Sequence, residues 1–134
     1  MAEMKKKWSI AYLKKVVWAV FSRYIRMKYA DWRGNEECVT CGKVQHWKQM
    51  QAGHFIPGRM NAILFDERGV HPQCFLCNGP LKGNPRKYEA FMKAKYGQEV
   101  IDELDRLSNT TRTFTPDELI DMKNYYADKI KTFA

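Results

Sequence analysis

Four cysteines constrain this chain most tightly, because they fall in two C-x2-C pairs, Cys38/Cys41 and Cys74/Cys77. Thiolates two residues apart can turn toward one tetrahedral ion, and two such pairs complete a closed zinc shell. Four sulfurs leave no open coordination position, so this Zn²⁺ is expected to be structural. It would fasten both ends of the intervening segment, lowering the entropy cost of ordering it, and a strong chelator should unfold the module. Two other readings of the cysteines compete. A disulfide framework is disfavoured in the reducing cytoplasm, and a redox dithiol is disfavoured because neither pair has a βαβ context.

The cytoplasm is the expected location. No apolar run approaches membrane-spanning length, and the start, MAEMKKKWSIAYLKK, lacks the apolar core and small-residue cleavage site of a signal peptide. At 134 residues, 45% of them hydrophobic, the chain fits one domain over 1–134 with a modest core. Lys and Arg outnumber Asp and Glu by 23 to 15, for a formal charge of +8, which zinc-bound thiolates would lower by up to four. That excess favours a polyanion. Nucleic acid is preferred over an anionic membrane, since no amphipathic segment has the apolar content of an interfacial anchor.

The expected fold class is α+β and mostly helical, with a basic N-terminal helix within 5–30, a zinc-pinned module over 38–84 and C-terminal helices over 85–134. Trp8, Tyr12, Val16, Ala19, Val20 and Tyr24 recur at helical spacing and predict one apolar stripe. Lys5, Lys6, Lys7, Lys14, Lys15, Arg23, Arg26 and Lys28 lie mostly between them, as a solvated face or a phosphate track. Residues 31–37 read as a polar turn, 51–56 as a strand, 62–65 as a second extended piece, 66–69 as a turn, and a first helical turn can start at Cys77. Asn84 is expected to cap a helix with Pro85 at its first position, Tyr88, Phe91, Met92 and Tyr96 on one face and Gly97 at its end. Residues 98–107 predict another helix. Thr115 and Glu118 form a capping box, framed by Phe114 and Leu119, for the last one, with Leu119, Met122, Tyr126, Ile130 and Phe133 as its buried stripe.

The segments FSRYIRMKYADWRG, CVTCG, QAGHFIPGR, FDERGVHPQCFLCN and LKGNPRKYEAF together resemble the NinG/Rap family of phage recombination endonucleases. The likeness runs from about Phe21 to the end. It implies an HNH-type, or ββα-metal, nuclease that is similar also to phage endonuclease VII. By that resemblance the chain would cut branched DNA, at Holliday junctions and displacement loops, with a divalent metal. His54 in GHF matches the general base, and Asn78, directly after Cys77, matches the ligand of the catalytic ion. Gly53 stands where HNH enzymes often place Asp, Gly69 where the family pattern has Asn, and Lys82 where it has Ser.

The residue chemistry agrees with those roles. Phosphodiester hydrolysis needs a base for water, a cation for the phosphate and help for the leaving oxygen. Histidine, with an unperturbed pKa near 6.5, is mostly a neutral acceptor in the cell. Mg²⁺ or Mn²⁺ takes oxygen ligands and keeps several waters. Asn78 would supply one oxygen, with Asp66 or Glu67, the nearest carboxylates, supplying others. His71 reads either as a second metal ligand or phosphate contact at the site, or as a partner to a zinc thiolate. His46 reads as exposed. Arg59, Lys82, Arg86 and Lys87 flank the site as phosphate contacts or solvated surface. Symmetric resolution of a four-way junction would need two sites, so a homodimer fits. The alternative function is a non-catalytic zinc module that binds nucleic acid.

Overall fold

The computed structural model describes residues 8–133. Lys5, Lys6 and Lys7, and the helix start expected there, lie outside the described residues. Helix α1, Ile10–Lys28, begins where the Ser9 side chain accepts from the Tyr12 amide, which satisfies one of the otherwise unpaired N–H groups of the first turn. Its buried face is Leu13, Val17, Phe21, Tyr24 and Ile25. The stripe expected from spacing is therefore rotated, and Tyr12 is 47% exposed. Apolar residues occupy more than one face of this helix, so periodicity offers two stripes and packing selects between them.

Residues Asn35–Glu37 (β1) and Val44–His46 (β2) pair antiparallel around the first cysteine pair, so a short strand replaces part of the expected polar turn. A second hairpin joins Gln51–His54 (β3) to Val70–Gln73 (β4), with Gln51 opposite Gln73 and Gly53 opposite His71. Between these strands, Asn61–Leu64 forms one short helical turn, α2, not the extended piece expected over 62–65. The run Ile63, Leu64, Phe65 looks strand-like by residue type. The helical turn instead lets Ile63 and Leu64 enter two different hydrophobic clusters. Of the second cysteine pair, Cys74 caps α3, Phe75–Asn78, and Cys77 lies within it; the helix starts two residues before the expected Cys77.

Three helices complete the chain: α4 at Pro85–Lys95, α5 at Gln98–Ser108 and α6 at Pro116–Lys131. The predicted capping box of α6 is formed, with Thr115 accepting from the Glu118 amide and Glu118 from the Thr115 amide. Phe114 and Leu119 are both buried in the cluster that unites α1 with α6. Leu119 and Tyr126 of the expected α6 stripe are buried, while Phe133 at its end is 41% exposed. A second cluster gathers Ile63, Tyr88, Met92, Ile101 and Leu104, and a third consists of Cys38, Met50, Cys74 and Cys77. The architecture is α+β and mostly helical, with two small antiparallel sheets. No helix among the described residues is long and apolar enough to cross a membrane.

Candidate functional site

The four Sγ atoms of Cys38, Cys41, Cys74 and Cys77 lie within 4.8 Å of one another, so the four can hold a zinc ion. A tetrahedral shell with bonds of about 2.3 Å puts sulfurs about 3.8 Å apart, and Cys41 and Cys74 are 3.7 Å apart. Both knuckles are shaped by local backbone bonds. The Gly42 amide donates to the Cys38 carbonyl at 2.9 Å, with Gly42 at a φ of 80° that side chains rarely adopt. The Asn78 amide donates to the Cys74 carbonyl at 3.0 Å. Burial works against a Cys38 thiolate, but the Thr40 hydroxyl and backbone N–H groups around it outweigh burial and bring its pKa down to about 6. Asn84 sits at the head of α4 in left-handed backbone, and its amide donates to Cys77 Sγ at 3.6 Å instead of capping the helix.

The zinc cysteines flank the β3/β4 hairpin, whose faces alternate by residue. Ala52, His54 and Val70 face α1, while Gln51, Gly53, His71 and Gln73 face α3 and α4. His54 therefore does not share a hairpin face with Asn78. Its ring stacks on Trp18 of α1, with centroids 5.1 Å apart, and Nε2 lies 3.0 Å from the Leu64 carbonyl. A carbonyl only accepts, so Nε2 carries the proton and a neutral ring leaves Nδ1 as an acceptor. Burial lowers the His54 pKa, the Leu64 carbonyl partly opposes this, and the Arg59 charge adds to the lowering.

Among the described residues strand β3 has a strand partner on one side only, and a cleft of about 340 Å³ runs beside it. Trp18, Ser22 and Arg26 of α1 line that cleft together with Gln51, Arg59 and Asn78. The Arg59 guanidinium lies over the Trp18 ring at 4.6 Å, on the tryptophan that also stacks with His54. Asn78 donates to Gln51 Oε1 at 2.7 Å, which turns its own oxygen toward Gly53. The structure thus gathers Arg26, Arg59 and Asn78 around one cleft, with His54 joined to it through Trp18. The aromatic wall supplied by Trp18 was not expected from sequence, since Trp18 lies outside the stripe that spacing suggested.

Three expected ligands are corrected by the geometry. His71 is 0% exposed, and both ring nitrogens are taken. Tyr88 donates its hydroxyl to the Gly53 carbonyl at 2.7 Å, so His71 Nδ1 donates to Tyr88 at 2.9 Å and Nε2 accepts from Tyr96 at 2.8 Å. Burial, reinforced by Lys95 and Lys28, pushes its pKa down to about 3. His71 is a neutral core group that props the Gly53 backbone, not a metal ligand, a phosphate contact or a partner to a zinc thiolate. Asp66 is held by Arg68 through both oxygens, at 3.0 and 2.7 Å, and lines a different cavity. Glu67 is likewise engaged, by Tyr24, Lys28 and Tyr126.

The basic candidates divide into groups. Arg23 and Arg26 place their guanidinium carbons 5.5 and 5.4 Å from the Trp47 ring, where Lys48 also approaches at 5.8 Å. Lys15 is exposed and Lys14 half-buried, two turns earlier on α1. Lys82, Arg86 and Lys87 are exposed beside the second knuckle and the first turn of α4. His46, expected to be exposed, is half-buried, and its Nδ1 accepts from the Lys48 amide.

A family model described as Bacteriophage Lambda NinG protein matches residues 2–134. The chain belongs to the NinG family. It is 34% identical to the ninG protein of Escherichia phage 933W, 33% to that of Escherichia phage lambda and 30% to that of Salmonella phage P22. Each of these matches covers 70% of this chain but 46% of the relative, so the chain spans less than half the length of the curated relatives it matches. No solved structure matches. Within this NinG chain, the segments that carried the resemblance, QAGHFIPGR and FDERGVHPQCFLCN, build the β3/β4 hairpin and the second knuckle.

Proposed function

We propose that this NinG-family chain is a divalent-metal-dependent, structure-selective DNA endonuclease of the HNH type, cutting branched recombination intermediates, with β3, β4 and α3 as its ββα-metal unit. The observation that carries the reading is the tautomer of His54. Its proton is committed to a backbone carbonyl, and its lowered pKa keeps Nδ1 a free base at neutral pH, while Trp18, on which the ring stacks, lines a cleft with Asn78 and Arg59.

In the proposed reaction, His54 Nδ1 takes a proton from water, the water oxygen bonds to phosphorus, and the bond from phosphorus to the 3′ oxygen breaks. That oxygen leaves and is protonated from solvent. Asn78 Oδ1 would hold a Mg²⁺ or Mn²⁺ ion, which when bound neutralises charge on the phosphate and the leaving oxygen. The fit is supported by the Asn78 amide, whose nitrogen is tied to Gln51 and whose oxygen is left for a cation. Arg59 and Arg26 would bind the flanking phosphates, and the Leu64 carbonyl keeps His54 oriented. Cutting both strands of a four-way junction would take two such sites, supplied by a homodimer.

The test is cleavage of a synthetic four-way junction by zinc-loaded protein with Mg²⁺ or Mn²⁺. Cutting that His54→Ala lowers by at least about a hundredfold, the usual scale for losing a general base, supports the reading. No cutting by the wild type, or equal cutting by the variant, overturns it. One observation favours the second reading, a zinc module that binds nucleic acid without cutting. Gly53 contributes no carboxylate beside Asn78. That reading predicts salt-sensitive DNA binding with no metal-dependent nicking.

A further inference from the structure

We infer that Gln73 supplies the second protein oxygen of the divalent-cation site, its Oε1 standing where a side chain at position 53 would begin. Gln73 is 0% exposed, and its amide cannot be turned over. Its nitrogen donates to the Thr40 hydroxyl at 3.1 Å and to the Gly83 carbonyl at 3.0 Å, which uses both hydrogens and fixes Oε1 in place. That oxygen is buried and has no hydrogen-bond partner among the described residues. Buried amide oxygens are rarely left so, because the lost hydration goes uncompensated.

Where Oε1 points is given by Gly53. A Cβ on that glycine would collide with Gln73 Oε1 and lie 2.9 Å from Asn78 Oδ1. Two amide oxygens therefore converge on one spot, and each is aimed there by its own nitrogen, Gln73 by Thr40 and Gly83, and Asn78 by Gln51. Two oxygens facing one spot without a donor between them present concentrated negative potential. A hard divalent cation, which takes oxygens at about 2.1 to 2.4 Å, is the ligand class that resolves it. Any side chain at position 53 would collide with Gln73 Oε1, so glycine there and glutamine at 73 form one arrangement. A neutral amide from β4 takes the place of a carboxylate from β3.

With two neutral ligands the site binds its cation weakly, and phosphate oxygens complete the shell. The purpose of the cation rests on the endonuclease reading, but its binding is measured without DNA. The experiment is Mn²⁺ titration of isotope-labelled, zinc-loaded protein, followed through the side-chain amide signals in nitrogen–proton correlation spectra. The expected result is early broadening of the Gln73 and Asn78 side-chain signals, ahead of exposed carboxylate residues. Broadening that spares Gln73 overturns the inference. In a parallel titration of free Mn²⁺, Gln73→Glu should bind at least about tenfold more tightly, a carboxylate replacing a neutral amide; unchanged affinity in the folded variant overturns the inference. Broadened Gln73 signals in a protein that never cuts a junction would sink the endonuclease reading and leave this site standing. Cutting with unaffected Gln73 signals would do the reverse.

Discussion

His54 and His71 stand on neighbouring strands of one hairpin, face opposite sides of it, and differ in everything that decides a histidine's use. His54 keeps one nitrogen as an acceptor and has a lowered pKa. A general base must be unprotonated, so cutting should slow only as pH falls through that pKa. The rate is expected to hold down to about pH 6.5, the ordinary histidine value, and to decline below it, as a pH–rate profile on a junction substrate would show. His71 has its proton balance set by burial, with a folded pKa of about 3 against an unfolded value near 6.5. Its contribution to stability is complete above pH 6.5 and drains away as pH falls toward 3, because only the unfolded chain takes the proton in that window. Wild-type stability should therefore drop by about 1.2 kcal/mol from this group between pH 7 and pH 5.5, measured as urea midpoints, and His71→Phe should lack that component. The variant should also lose about 2 to 4 kcal/mol at pH 7 by breaking a buried hydrogen-bonded network. If it instead lost Mn²⁺ binding while keeping its stability, His71 would be a ligand. Spacing in the sequence made the four cysteines legible as one site. It could not reveal His71 as core, because the hydroxyls that occupy it come from Tyr88 on α4 and Tyr96 at its C-terminal cap, 17 and 25 residues further on.

At the scale of elements, what the sequence made plain were features defined within a few residues: the capping box of α6, Pro85 at the start of α4, and the two knuckles. What it left open were choices made by distant neighbours. The buried face of α1 is selected by α6 and the hairpin, and α2 is helical because Ile63 and Leu64 must reach separate clusters. The capping box predicts that Thr115→Ala lowers stability by about 1 kcal/mol, seen as a modest fall in melting temperature with zinc content unchanged. The knuckles predict a far larger effect. Cys38 and Cys74 directly follow two separate strands, β1 and β4, and the cluster they form around Met50 has little apolar substance without its ion. Removing zinc with a strong chelator should abolish the cooperative melting transition of the β3/β4 hairpin, and Cys77→Ser should reproduce this without chelator. A hairpin that stays protected from hydrogen exchange after zinc removal would show that the α1/α6 core holds it unaided.

For the whole molecule, net charge is a weaker guide than where charge gathers. Lys28 is committed to Glu67, and Arg68 to Asp66, so neither adds to a binding surface. Arg23, Arg26 and Lys48 surround Trp47, Arg59 covers Trp18, and Arg26 lines the Asn78 cleft, so these cations and rings mark one course along α1 toward His54. That course is not legible from residue order, because it depends on a helix face meeting a loop and a strand edge. If phosphates follow it, each lost cation should weaken junction binding and flatten the salt dependence by about 0.9 in the slope of log affinity against log salt. Arg23 and Arg59 are exposed, so Arg23→Gln and Arg59→Gln should leave folding intact. Arg59→Gln should also slow cutting, since its guanidinium shares the tryptophan on which His54 stacks, whereas Arg23→Gln should change affinity alone. Measured slopes that stay at the wild-type value in both variants would place the DNA elsewhere, with the exposed Lys82, Arg86 and Lys87 beside the second knuckle as the remaining surface.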